Sequence, residues 1–106
     1  MKTSAEFLDF LMEHLSAKEY DQLTYSVFEG SEKSRNTYLT ADHERLADMP
    51  VRFLRRLVEV LKDVPGIDVA DLIETYGLCS NKLTMSEADQ LARTLGMKVG
   101  FITHAA

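Results

Sequence analysis

A chain of 106 residues is one domain by length, long enough to enclose a single hydrophobic core and too short for two. With 45% apolar residues, 27% charged residues and a net charge of −5, it has the composition of an acidic globular protein and not of a disordered one. No apolar run approaches the roughly 20 residues of a membrane span, acids interrupt the apolar stretch of "MKTSAEFLDFLMEHL" as they would not in a signal peptide, and one cysteine, Cys79, permits no internal disulfide. The expected location is therefore cytoplasmic, with no membrane partner.

Taken in chain order, the apolar residues repeat at helical spacing and nowhere alternate as strands do. Thr3 and Glu6 have the spacing of a capping box, and Phe7, Leu8, Leu11 and Leu15 follow as one stripe. A second box, Ser16 with Glu19, restarts the chain. The helix it opens, over residues 17–29, places Tyr20, Leu23 and Val27 on one side beside Thr24 and Phe28, and stops at Gly30. The segment that follows, "SEKSRNTYL", reads either as a solvated connection or as an exposed polar helix.

The strongest helical pattern is "DMPVRFLRRLVEVLK", with Asp48 as its expected cap and Pro50 in the first turn, where no amide donor is needed. Val51, Leu54, Leu57, Val58 and Leu61 form the inward stripe, and Phe53 and Val60 widen it. Arg52, Arg55, Arg56 and Glu59 lie on the other face. "DVPG" ends this helix, and Asp68 caps "VADLIETYG", which stops at Gly77. Thr84 and Glu87 make a third box ahead of a stripe of Met85, Ala88, Leu91, Ala92 and Leu95. "LTADHERLA" and "LTMSEADQLA" share both ends, a likeness that capped amphipathic helices reach independently. The tail, 97–106, is apolar and either docks loosely or stays free. The expected fold is all-α, a compact bundle of five to six short helices in a single domain, residues 1–106. Helices of this length are marginal alone and depend on burying their stripes against one another.

Catalytic chemistry is poorly represented. His43–Glu44 lacks a second histidine four residues on, so no zinc-protease box is present. His14, His43, His104 and Cys79 are scattered without metal-ligand spacing. Cys79 has one neighbouring lysine, Lys82, which is little to activate a thiol, and a buried, inert sulfur is expected. No glycine-rich phosphate loop occurs. The expectation is a protein that is not an enzyme and takes no cofactor, metal or small-molecule ligand.

Charge is segmented along the chain. Residues 1–30 hold two lysines against six acids, residues 31–62 seven bases against five acids, and residues 63–106 three bases against six acids. The middle third is thus a basic island containing Arg35, Arg45, Arg52, Arg55 and Arg56. A helix-turn-helix needs a supporting helix, a tight turn that often bears glycine, and a second helix with a small, polar, basic face. Residues 17–29, Gly30 and residues 31–39 meet that outline. Lys33, Ser34, Arg35, Asn36 and Thr37 would be the reading residues, since Arg and Asn suit bidentate contacts to guanine and adenine, with Arg52, Arg55 and Arg56 adding phosphate contacts. Tyr38 and Leu39 would tuck into the core.

The order of elements from about Phe7 to Tyr76 resembles the helical domains of the phage-repressor and Cro type. The likeness is carried chiefly by "MPVRFLRRLVEVL" followed by "GIDVADLI", similar to that family's fourth and fifth helices. The chain departs from the family's preferences at Ser26, where an alanine is usual, and at Ser31 and Asn36, where aliphatic residues are usual. The resemblance implies binding of double-stranded DNA, commonly as a homodimer, in transcriptional regulation. A reading of another class is a helical interaction module that binds a protein partner or a second copy of itself. There the Arg52/Arg55/Arg56 face meets acids and the basic middle of one chain meets the acidic end of another.

Overall fold

The computed structural model describes residues 3–95. Six α-helices and one short 3₁₀ turn make up its regular structure, and among the described residues there is no strand. The helices are α1 (Ser4–His14), α2 (Ala17–Ser26), α3 (Glu32–Leu39), α4 (Val51–Leu61), α5 (Val69–Tyr76) and α6 (Met85–Leu95), with the 3₁₀ turn at Leu46–Asp48 before α4. No helix is long and apolar enough to cross a membrane among the described residues.

The caps predicted from spacing form. Thr3 accepts from the Glu6 amide while the Glu6 carboxylate accepts from the Thr3 amide, and Ser16 and Glu19 repeat this arrangement one residue after α1's C-cap. Each box satisfies two amides that a helix start would otherwise leave unpaired. Asp68 caps α5 through the Asp71 amide, and Gly77 closes it in the left-handed conformation at φ 62°. At α6 the Thr84 hydroxyl accepts from the Glu87 amide at 3.1 Å and donates to the Glu87 carboxylate at 3.0 Å.

Other expectations need correction. Asp48 does not cap α4: Pro50 takes the N-cap position, and the Asp48 carboxylate instead accepts from Asn81 Nδ2 at 3.0 Å. α2 ends three residues short of the expected 29. The Leu23 carbonyl accepts from both Val27 and Phe28, the Thr24 carbonyl accepts from Gly30, and Glu29 and Gly30 are both left-handed, at φ 59° and 81°. Met85 leaves its stripe and is 70% exposed. "LTADHERLA" ends α3 and runs through a loop into the 3₁₀ turn, whereas "LTMSEADQLA" builds α6, so their likeness is one of sequence alone. The tail 97–106 lies outside the described residues.

One core gathers the stripes. Phe7, Leu11, Leu23, Val27, Phe28, Leu39, Met49 and Leu54 are fully buried within it. α1 packs on α2 and α3, and α2 packs on α3 and α4. Two aromatic contacts fix the layout. Phe7 meets Tyr76 at 4.7 Å between ring centroids, tying α1 to α5. Phe28, Tyr38 and Phe53 form a triangle with centroids 5.1 to 6.4 Å apart, joining the end of α2, the end of α3 and the start of α4. The loop after α5 lies against the 3₁₀ turn, with the Cys79 amide donating to the Leu46 carbonyl and the Asn81 amide to that of Ala47, both at 2.8 Å.

Candidate functional site

The questioned segment is a helix. Ser31 caps α3 by accepting from the Ser34 amide, Leu39 is buried, and Tyr38 packs against the core. α2, a five-residue connection and α3 therefore share the helix–connection–helix outline expected from the sequence.

The polar side chains of α3 are largely used within the fold. Arg35 lies back across α2 with its side chain 15% exposed. Its Nη1 donates to Thr24 Oγ1 at 2.8 Å and to Asp21 Oδ1 at 3.4 Å, and its guanidinium carbon sits 5.3 Å from the Tyr20 ring centre. Asn36 is exposed, and its Oδ1 accepts from Arg35 at 3.4 Å. Thr37 donates its hydroxyl to the Lys33 carbonyl at 2.8 Å. Ser34 is half-buried, and Lys33 is exposed. Burial raises the pKa of Tyr20, with Arg35 acting against that rise.

The three arginines of α4 divide. Arg52 Nε donates to Glu29 Oε1 at 2.9 Å, and Arg56 Nη1 lies 3.3 Å from the same oxygen and 3.5 Å from the Val27 carbonyl. The two guanidiniums therefore share one carboxylate at the end of α2, where Glu29 itself sits in a left-handed turn. The hydrogen bond from Arg52 holds the Glu29 carboxyl below its usual range, with Arg56 adding to the effect. Arg52 also covers the Phe53 ring at 4.5 Å. Arg55 points elsewhere, its Nη2 donating to Gln90 Oε1 of α6 at 2.9 Å. The structure brings Arg52 and Arg56 together, while Arg35 and Arg55 each have partners of their own.

Between α4 and α6 runs a groove of about 310 Å³ lined by Arg55, Val58, Glu59, Gln90, Leu91 and Thr94. Val58 and Leu91 in it are already only 2% and 3% exposed, so an occupant would gain little by desolvating them. Among the described residues no three His, Cys, Asp or Glu side chains gather where a metal ion could sit.

The outward face of α2 carries what sequence reasoning passed over. Tyr25 stands 78% exposed there, its ring edge beside Gly30. Asp21 lies one turn before it with a side chain 74% exposed, and the Glu29–Arg52–Arg56 cluster follows it. An aromatic residue off the apolar stripe, on an otherwise polar face, was a sequence signal for this patch. Glu29 gave none, because its partners come from a helix 23 residues on. Comparison of the chain with protein-family models, with curated proteins and with solved structures finds no match.

Proposed function

We propose that this chain is a helical protein-interaction module whose contact surface is the outer face of α2 with the adjoining Arg52 and Arg56. The observation that carries this reading is Tyr25, a large amphipathic ring left 78% exposed on α2 next to Gly30, the residue after the Glu29 carboxylate that Arg52 and Arg56 share. Tyr and Arg are the residues that most often dominate protein interfaces, since each presents a rigid apolar surface with a polar edge. Scattered surface hydrophobics need no such account, but an exposed aromatic at the end of a helix whose following turn carries paired charges offers both an anchor and a polar rim.

Duplex DNA binding is the second reading, favoured by the helix–connection–helix outline of α2 and α3 with Lys33 and Asn36 exposed. Weighing against it are the engagements of the arginines. To read a base, Arg35 must give up Thr24 and leave its half-buried position, and a hydrogen bond to a charged group contributes about 1.5–3 kcal/mol. A phosphate approaching Arg52 and Arg56 meets the Glu29 carboxylate between them, which reduces the attraction it would feel.

Titration of a fluorescent mixed-sequence duplex with the protein at low salt separates the two. The module reading expects at most feeble binding with a shallow salt dependence. A logarithmic salt slope of about −3 or steeper, at about −0.9 per phosphate neutralised, would instead mean several phosphate contacts and would overturn it. A photo-crosslinking amino acid at position 25 supplies the positive side, with protein adducts expected there and none at exposed Glu74.

A further inference from the structure

We draw no further inference here: the strongest candidate, the groove between α4 and α6 edged by Arg55 and Gln90, has in Val58 and Leu91 a floor that is already buried, and nothing in the structure shows what covers it.

Discussion

Alkaline titration and thiol labelling of Cys79 test whether the loop after α5 is closed over the core. Cys79 has no exposed surface, its amide is bound to Leu46, and its Sγ lies 3.7 Å from the Pro50 carbonyl. Burial, with a smaller contribution from Glu87, pushes the thiol from 9.0 up to about 12. At pH 8 a free thiol of this kind is about one-tenth thiolate, and the buried one is so only about one part in ten thousand, a difference of about a thousand-fold in the reactive form. Labelling also needs the loop to open, so the rate with a maleimide at pH 8 is expected to fall at least about a thousand-fold below that in denaturing urea. Labelling within about ten-fold of the unfolded rate would refute the reasoning, because it would mean the loop opens freely. The same burial fixes the sign of the pH effect. A thiol whose folded value is raised stabilises fully below the unfolded value near 9, and that contribution is lost as pH climbs toward about 12. At about 1.4 kcal/mol per tenfold change, the full loss is about 4 kcal/mol. Tyr20 and Tyr76, raised by burial, and Lys62, raised by Glu59, lose stabilisation in the same direction. The stability difference between wild type and Cys79→Ala isolates the thiol, since those three groups are common to both proteins. That difference should shrink steadily above pH 9, and a constant one would show that the thiol is not desolvated.

Arg35→Ala is expected to destabilise the fold by about 1–3 kcal/mol in urea unfolding, because the buried Thr24 hydroxyl loses its partner and Tyr20 loses the guanidinium over its ring. Lys33→Ala on the same helix should stay within about 0.5 kcal/mol, and equal effects of the two would contradict the distinction between a strut and a surface lysine. In acid, Glu19 is held below the usual range by the Ser16 amide, and Glu29 by Arg52. Groups lowered on folding stabilise above their unfolded value of 4.5 and lose that contribution as pH falls through the lower folded one. The thermal midpoint of wild type should therefore drop below pH 4.5 more steeply than that of a Glu19→Gln, Glu29→Gln double variant; parallel curves would refute the assignment.

Where local chemistry decided the outcome, the sequence and the structure agree. Capping boxes are closed within four residues, so Thr3–Glu6 and Ser16–Glu19 form as their spacing predicts. The stripe of α4 buries Val51, Leu54, Leu57, Val58 and Leu61 because period and length leave one face for the core. Agreement ends where a residue must choose among distant partners. Asp48 has the composition of a cap and the position of one, but Asn81, 33 residues later, takes its carboxylate. α2 stops before Gly30 because Phe28 turns inward to meet Phe53, and that aromatic contact lies 25 residues downstream in the chain. Arg35 looked like a reading residue from the polarity of its neighbours. Its direction is set by Thr24 and Asp21 on the preceding helix, which a linear pattern does not relate to it.

Glu29 ties these threads together. A side chain other than glycine in the left-handed region costs roughly 1–2 kcal/mol, and Glu29 is held there at φ 59°, next to a glycine at 81°. Two successive left-handed residues reverse the backbone sharply enough to send Phe28 into the core while the Glu29 carboxylate swings out toward α4. From that position it meets both Arg52 and Arg56, which a helical continuation of α2 would not allow from the same residue. The strain and the ion cluster are thus two sides of one turn. Two of the five arginines of the basic middle third, Arg52 and Arg56, are in the fold engaged with the carboxylate of this turn. What they leave over is one net positive charge. A polyanion, with its many phosphates, would need a broader positive field than two guanidiniums sharing one carboxylate provide.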